Sequence, residues 1–326
     1  MKAIIADKDT FRLKFEEVNT PVIKDNELLV KVKAAGLNRA DLLQKRGKYP
    51  PPPGAPDILG LEASGVIEKI GANVKGWKKG DRVCALLPSG GYAEYAAIPA
   101  ELAIPIPKNL SFEEGAAIPE GFLTAYLNLF DLGNLQSGET VLIHAGASGV
   151  GTAAIQLAKE AGARVIITAG SPEKLQLCRS LGADLAINYK KGPFAAQVKE
   201  STGEKGVQLI LDFIGAPYWK ENIDALAMDG KLVLIGTMGG AKIKEVNLLN
   251  ILFKRLHVLG TTLRSQPIDK KAALTKAFVD FSLKRFRDDR LKPIIDSIWD
   301  WNEAEKAHSL MEENKNAGKI ILRINH

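Results

Sequence analysis

A glycine-rich hexapeptide is the part of the sequence whose spacing most clearly suggests chemistry. It lies between an apolar strand predicted at residues 140–145 and an alanine-rich helix predicted at residues 150–161. The hexapeptide comprises Gly146, Ala147, Ser148, Gly149, Val150 and Gly151. We expect Gly146 to permit a tight turn, the middle residues to bring backbone close to a pyrophosphate, and Gly151 to let the helix pack on the strand. Free N–H groups at the helix start attract anions. The segment therefore predicts a dinucleotide site, although Ser148 stands where the usual pattern has glycine.

The end of the next predicted strand, Arg164–Ala169, indicates which dinucleotide binds. NAD enzymes usually place Asp or Glu there, about 20 residues after the glycine turn, to accept from the ribose 2′-hydroxyl. This strand end has no acid, whereas Gly170, Ser171 and Lys174 can donate backbone, hydroxyl and ammonium hydrogens to a 2′-phosphate. Glu173 is expected to point away, at a helix start where acids are favoured. We predict NADPH as the cofactor.

Two different patterns of elements surround these residues. Short strands broken by Gly and Pro fill residues 1–119 and predict a β-rich barrel or sandwich, to which the tail at residues 264–326 is assigned as well. Residues 120–263 alternate apolar strands with helices, which is typical of a doubly wound parallel sheet, the Rossmann arrangement. The sequence thus predicts an α/β protein with two domains. The predicted strands of the second pattern are residues 140–145, 164–169, 186–189, 207–213, 231–236 and 257–263, with helices near 193–201 and 217–227.

Composition excludes several other classes. The net charge of +6 comes from 44 basic residues interleaved with 38 acids, which indicates a solvated surface rather than a nucleic-acid interface. No apolar run reaches the roughly 18 residues that a membrane span needs, and the first residues resemble a strand more than a signal peptide. We therefore expect a cytoplasmic protein. Cys84 and Cys178 have no metal or disulfide spacing and are predicted to be small buried hydrophobes.

Motifs in both halves of the chain carry a family resemblance. They are residues 36–41 (GLNRAD), 49–54 (YPPPPG), 58–65 (ILGLEASG), 144–151 (HAGASGVG), 188–189 (NY), 263–265 (LRS) and 314–319 (NKNAGK). On these motifs the chain resembles the medium-chain dehydrogenase/reductase superfamily. It is most similar to the zinc-free quinone oxidoreductase branch, which includes zeta-crystallin and the tumour-suppressor-induced quinone oxidoreductase-like proteins.

The resemblance implies a GroES-like fold for the β-rich domain and argues against zinc. Zinc-dependent relatives place Cys where this chain has Asn38 and His where it has Leu61, and neither Asn nor Leu serves as a good zinc ligand. Asn38 and Tyr49 match positions that line the nicotinamide and acceptor pocket. Other positions match the cofactor site or follow parallel strands at their carboxyl ends, where ligands bind: Tyr189, Phe213, Ile214, Gly236, Met238, Leu263 and Arg264.

The resemblance implies NADPH-dependent reduction of quinones by hydride transfer. The alternatives are reduction of an enone, enal or enoyl-thioester, with Tyr49 as proton donor, or a cofactor-binding module that senses NADPH or contacts RNA. From the residues alone, Tyr49 would be a packing aromatic, and Arg39 with Asp41 a surface pair. The apolar strand at residues 257–263 would leave an open sheet edge, so we expect a homodimer or a dimer of dimers.

Overall fold

The computed structural model describes Met1–His326, and the chain forms two compact units. The first unit contains Met1–Leu123 and Arg264–His326, and the second contains Thr124–Leu263. The chain therefore leaves the first unit once and returns to it at Arg264. None of its helices combines the length and the apolar character needed to cross a membrane.

The regular elements follow one another along the whole chain. The strands are β1 Lys2–Ala6, β2 Leu13–Glu17, β3 Glu27–Gly36, β4 Glu62–Ile70, β5 Arg82–Leu86, β6 Tyr95–Pro99, β7 Ala103–Pro105, β8 Thr140–Ile143, β9 Arg164–Ala169, β10 Leu185–Asn188, β11 Val207–Asp212, β12 Leu226–Leu234, β13 His257–Gly260, β14 Ile295–Asp300 and β15 Lys319–Arg323. The α-helices are α1 Arg39–Lys45, α2 Phe112–Ala116, α3 Pro119–Tyr126, α4 Gly149–Glu160, α5 Pro172–Ser180, α6 Phe194–Ser201, α7 Trp219–Ala225, α8 Leu248–Phe253, α9 Ile268–Arg287 and α10 Ala304–Glu312. Short 3-10 turns lie at Ala100–Leu102, Tyr189–Lys191, Ala216–Tyr218 and Trp301–Glu303, and a π-helical segment at Leu127–Leu132.

The second unit is built on one six-stranded sheet in the order β10-β9-β8-β11-β12-β13. Every neighbouring pair is parallel, because a helical segment or long connection returns the chain before each new strand. The strand order reverses between β8 and β11, which is where open parallel sheets bind ligands. The predicted doubly wound parallel sheet is confirmed.

The central strands of this sheet are buried and its outer strand β13 is not. All residues of β9 after Arg164 are buried, as are the last four residues of β11. Such continuous apolar strands need cover on both faces. The β13 residues are exposed or half-buried instead, and Val258 keeps 38% of its surface exposed. This strand therefore presents one open edge of the sheet.

The first unit contains a largely antiparallel seven-stranded sheet. Its order is β14-β15-β3-β4-β5-β7, with β6 paired to β3, while β1 and β2 form a separate pair. The long strand β3 lies at the centre because alternate residues such as Leu28, Val30 and Val32 are fully buried in the core. The β-rich architecture predicted for this part of the chain is confirmed, with the tail supplying β14 and β15.

Some local predictions differ from the structure. The helix predicted near residues 217–227 ends at Ala225, because Leu226 is already extended and pairs with Val207 at the start of β12. The strand β12 then makes an irregular turn at Asp229, whose φ of 59° is left-handed. The amphipathic strand β2 and the short helix α2 were not predicted.

Candidate active site

The glycine hexapeptide forms the turn between β8 and α4, as the sequence predicts. Ser148 caps the helix, and its Oγ accepts a hydrogen bond from the Gly151 N–H at 3.0 Å. A Cβ on Gly151 would lie 2.4 Å from the carbonyl oxygen of Ala145. Helix and turn can therefore approach this closely only with glycine at position 151, which fits the packing role expected of it.

Gly146 has a different role from the one expected. The left-handed residue of the turn is Ala145, with φ of 49°, whereas Gly146 is not among the residues with positive φ. A Cβ on Gly146 would lie 2.8 Å from Cβ of Ile167 in the neighbouring strand β9. Gly146 is thus required for clearance against β9, and the expectation that it supplies the turn conformation is wrong.

A buried polar network supports the strands beside this turn. His144 is fully buried, with Nδ1 2.9 Å from Oγ1 of Thr168 and Nε2 2.7 Å from Oδ1 of Asn222. Asn222 in turn donates to Asp212 at 3.0 Å. Burial lowers the pKa of His144 to about 4, so its ring is neutral at pH 7. The network fixes the ends of β8, β9 and β11, and no periodicity or motif in the sequence predicts it.

Asp212 also shapes the turn that carries two predicted cofactor residues. Its carboxylate accepts from the backbone N–H groups of Ile214 at 2.7 Å and Gly215 at 3.1 Å. The carbonyl oxygen of Phe213 accepts from the N–H of Met238 at 3.1 Å, which joins this turn to the one after β12. Of the other predicted residues here, Gly236 donates to the carbonyl oxygen of Asp212, and Leu263 is 7% exposed at the end of the second unit.

The residues predicted to select the cofactor lie at the end of β9 and the start of α5. Ser171 caps α5, and its Oγ accepts from the backbone N–H of Lys174 at 3.3 Å. A Cβ on Gly170 would lie 2.6 Å from the hydroxyl oxygen of Tyr189, so the phenol rests against bare backbone. Tyr189 itself is 42% exposed. The structure thus brings Gly170, Ser171, Lys174 and Tyr189 close together.

The sequence analysis expected Glu173 to point away from this place. Its carboxyl group instead lies near the Ser171 hydroxyl. The nearby Ser171 hydroxyl lowers the pKa of this carboxyl group. An anionic side chain therefore lies beside a hydroxyl that was predicted to bind phosphate.

In the first unit, Asn38 belongs to a buried charged network. Its amide nitrogen donates to Glu62 Oε1 at 2.9 Å and to the carbonyl oxygen of Gly36 at 3.4 Å, and its Oδ1 accepts from Lys319 at 2.7 Å. Lys319 also forms an ion pair with Glu62, and their side chains are 5% and 0% exposed. A Cβ on Gly36 would lie 2.3 Å from Glu62 Oε1, so glycine makes room for the carboxylate.

The amide group of Asn38 is used within this network. Its nitrogen and its oxygen both already have partners within the first unit. Glu62 and Lys319 were missed as functional candidates. Both lie in segments that the family resemblance had singled out, residues 58–65 and 314–319, and that was the only available signal.

Asp41 is not a surface residue and does not pair with Arg39. It is fully buried and accepts from the backbone N–H groups of Asn38 at 2.8 Å and Gly60 at 3.1 Å. Arg39 donates instead to Asn314 at 2.7 Å. Burial raises the pKa of Asp41 to about 7, against the opposing effect of the N–H donors. The carboxylate ties the start of α1 to the segment before β4.

Tyr49 is half-buried and lies against Arg264, whose guanidinium carbon is 4.9 Å from the centre of the phenol ring. The guanidinium donates to Pro88, Tyr49 and Gln44. Burial raises the pKa of the Tyr49 phenol. The structure therefore places Arg264 beside Tyr49 in the first unit.

The two cysteines and Leu61 are buried. Cys84 and Cys178 are free and buried, as predicted, and burial raises the pKa of the Cys178 thiol to about 12. Leu61 is 2% exposed in the core. No group of three His, Cys, Asp or Glu side chains in the structure is arranged to hold a metal ion.

Comparison with known families and proteins gives matches over both units. Residues 24–108 match the family described as "Alcohol dehydrogenase GroES-like domain", and residues 149–279 match "Zinc-binding dehydrogenase". The quinone oxidoreductase of Sus scrofa is 32% identical over 94% of this chain and 92% of its own length. The solved quinone oxidoreductase of Thermus thermophilus, described also in complex with NADPH, is 34% identical, with a TM-score of 0.84 over 99% of this chain and all of its own. The CurK enoyl reductase is 28% identical, with a TM-score of 0.87 over 99% of both chains.

Proposed function

Because the chain belongs to the medium-chain dehydrogenase/reductase superfamily, in its quinone oxidoreductase branch, we propose that it reduces quinones by hydride transfer from NADPH. The observation that carries the proposal is the glycine turn at the strand-order reversal of a parallel sheet, in a chain similar to quinone oxidoreductases over nearly its whole length. When bound, NADPH supplies the hydride. The chain's own residues bind it, orient the acceptor and exclude water.

Clearance at the glycine positions fits a dinucleotide. A Cβ on Gly151 would meet the carbonyl oxygen of Ala145, so glycine there keeps the turn close to the start of α4, where backbone N–H groups can bind a phosphate. We assign the pyrophosphate to the turn and first residues of α4, and the 2′-phosphate to Gly170, Ser171, Lys174 and Tyr189. The remaining proposed contacts come from the strand ends. They are Phe213, Ile214, Gly236, Met238 and Leu263.

On the acceptor side we assign Tyr49 and Asn38. Tyr49 supplies an aromatic wall whose loop contains four consecutive prolines, and proline leaves little backbone freedom to lose on binding. Asn38 holds the start of α1 through Glu62 and Lys319. A hydroquinone anion leaves as a stabilised product that water can protonate, so quinone reduction requires no dedicated acid.

The reaction is proposed to be independent of zinc. Leu61 offers no ligand atom and Asn38 offers a poor one whose oxygen already accepts from Lys319. Metal analysis of the purified protein tests this statement, together with activity measured in a chelator. The zinc-free proposal fails if the protein contains stoichiometric zinc and loses activity when it is removed.

Reduction of an enone or enoyl-thioester is the second candidate, and the half-buried phenol of Tyr49 favours it because an enolate needs a proton donor. Similarity to the CurK enoyl reductase also supports it. The Tyr49→Phe variant separates the two candidates. Quinone turnover is expected to fall only modestly, whereas loss of a general acid would lower enone turnover by about a hundredfold or more.

A turnover panel tests the function itself. NADPH oxidation is measured with an ortho-quinone, an enone and an enoyl-thioester at matched concentrations. The proposal expects the quinone to have the highest kcat/KM. A higher value for the enone or enoyl-thioester selects the second candidate, and no turnover with any of the three excludes both.

We also propose a homodimer formed by the open edge of the second unit. The edge strand β13 and the helix α8 expose apolar side chains that water solvates poorly. The four large apolar residues of α8 that are most exposed are Leu248 at 67%, Leu249 at 55%, Leu252 at 67% and Phe253 at 69%. Light scattering at micromolar concentration is expected to give at least the mass of two chains, and Phe253→Lys to reduce it. A monomer for the unmodified chain contradicts the proposal.

We propose a cytoplasmic location. The free and buried Cys84 and Cys178 fit a reducing compartment, where disulfides are rare. Cell fractionation with an antibody against the chain tests this. Recovery in the secreted or membrane fraction would contradict it.

A further inference from the structure

Arg264 is the residue at which the chain returns to the first unit, and it is only 7% exposed. Its Nε donates to the carbonyl oxygen of Pro88 at 2.7 Å, and Nη1 to the carbonyl oxygen of Tyr49 at 3.1 Å. Its Nη2 donates to Oε1 of Gln44 at 2.6 Å. All three guanidinium nitrogens therefore donate, and they join Arg264 to two regions of the first unit that are distant from it in sequence, residues 44–49 and Pro88.

The same guanidinium packs on the ring of Tyr49. Its carbon lies 4.9 Å from the ring centre, within the range of a cation–π contact. Arg264 thus holds both the backbone and the side chain of Tyr49. Its charge also lowers the pKa of the phenol, opposing the larger effect of burial.

We infer that Arg264 is a positioning residue that acts through Tyr49 on the acceptor side, and that it is not a ligand of the cofactor phosphates. The inference rests on the proposed role of Tyr49 as a wall of the acceptor site. A planar guanidinium stacks on a ring while its three separate nitrogens donate in the guanidinium plane, whereas a lysine ammonium donates from a single compact nitrogen. A phosphate ligand needs exposed donors, whereas each nitrogen of Arg264 already donates within the first unit.

Arg82 provides a matched control in the same unit. Its guanidinium lies 4.6 Å from the ring centre of Phe112 and donates to the carbonyl oxygens of Pro107 and Leu110. The Arg82→Met variant loses the same kinds of contact as Arg264→Met, without touching Tyr49. General destabilisation should therefore affect both variants, and a positioning effect only Arg264→Met.

Steady-state kinetics with an ortho-quinone provide the first readout. Arg264→Met is expected to raise the KM for the quinone about tenfold, while the Kd for NADPH stays within about twofold of the unmodified value. Arg82→Met should change neither. In a Tyr49→Ala background, Arg264→Met should add little, because its effect passes through the missing ring. The inference is overturned if NADPH binding weakens and the quinone KM does not change, or if the two substitutions act independently.

A conservative variant keeps the test informative if Arg264→Met does not fold. Arg264→Lys retains the charge and most of the aliphatic chain, but its single nitrogen cannot reproduce the planar, spread donors of the guanidinium. We expect its quinone KM to rise as well. A KM equal to that of the unmodified protein would show that charge alone is sufficient and would overturn the positioning role.

The ionisation of Tyr49 provides a readout that requires no turnover. Tyrosinate absorbance is compared at an alkaline pH where circular dichroism shows that each variant is folded, with Tyr49→Phe subtracted to isolate this phenol. Arg264→Met should lower the ionised fraction, whereas Arg264→Lys and Arg82→Met should preserve it. If this holds but no quinone is reduced, the Arg264–Tyr49 assignment stands and the proposed function fails. If quinones are reduced but neither KM nor ionisation responds to Arg264→Met, the assignment itself is wrong.

Discussion

The two candidate sites are built in opposite ways. In the second unit, the turn between β8 and α4 is made by consecutive residues, and its main requirement is backbone clearance at Gly146 and Gly151. In the first unit, the side chains of Asn38, Glu62 and Lys319 come from three distant segments and depend on buried charge. A local backbone site is sensitive to added volume, whereas a site assembled from distant side chains is sensitive to lost charge.

The largest effect is expected from breaking the buried ion pair of the first unit. Lys319→Met leaves the Glu62 carboxylate buried without its ammonium, and the free energy of unfolding should fall by about 3–5 kcal/mol. Urea unfolding followed by circular dichroism measures this loss. Lys79→Met is the matched control, because Lys79 pairs with Glu68 at 2.8 Å on an exposed surface. Such a pair contributes about 1 kcal/mol or less. Equal losses in the two variants would remove the contrast between the sites.

The next largest effect is expected from adding side-chain volume at the glycine turn of the second unit. Gly151→Ala places a methyl group 2.4 Å from the carbonyl oxygen of Ala145, and NADPH affinity should weaken about a hundredfold. Gly260→Ala is the control, since no atom lies within 4 Å of a Cβ added there. Titration calorimetry measures both affinities. Unchanged NADPH binding by Gly151→Ala would show that the turn does not need its clearance to hold the cofactor.

We propose that charge within the second unit selects the cofactor, and substitutions of these charges are expected to have a smaller effect. Lys174→Ala should weaken NADPH by about tenfold to a hundredfold while sparing NADH, because a charge-assisted contact to the 2′-phosphate is lost. Glu173→Gln should act in the opposite direction and favour NADPH, since it removes an anion near the Ser171 hydroxyl. Equal binding of NADPH and NADH by the unmodified protein would contradict this assignment.

The pH dependence of stability should differ between buried groups of the two units. His144 has a pKa of about 4, so the unfolded chain binds its proton first on acidification, and the free energy of unfolding falls between about pH 6.5 and 4. Asp41 has a pKa of about 7, so the folded chain binds the proton first, and the free energy of unfolding rises as pH falls from about 7 to 4. Asp41→Asn should therefore lose more stability on acidification than the unmodified protein, and His144→Gln less.

Each group changes the slope by at most about 1.4 kcal/mol per pH unit, and only between its pKa values in the folded and unfolded chain. Urea unfolding at several pH values between about 4 and 7 measures the slopes. Parallel pH profiles for the two variants and the unmodified protein would show that neither group titrates differently in the folded and unfolded states.

The same contrast explains what could be predicted from the sequence. The parallel sheet, the glycine turn and the grouping of Gly170, Ser171 and Lys174 follow from apolar periodicity and local spacing, which a single sequence records. The Glu62–Lys319 pair joins residues 257 positions apart, and no periodicity relates them. The surface interpretation of Asp41 was wrong for the same reason, since its N–H donor at Gly60 lies in a separate segment. The left-handed conformation of Ala145 was also missed. Glycine is the residue that usually adopts this conformation, so the turn was assigned to the neighbouring Gly146.

The central claim is tested most directly by the stoichiometry of the reaction in the absence of metal. The purified protein is treated with a chelator, and NADPH oxidation and hydroquinone formation from an ortho-quinone are measured together. We predict one equivalent of hydroquinone for each NADPH consumed, at a rate that the chelator does not change. NADPH consumption that requires zinc, or that occurs with an enoyl-thioester and not with the quinone, would contradict the account.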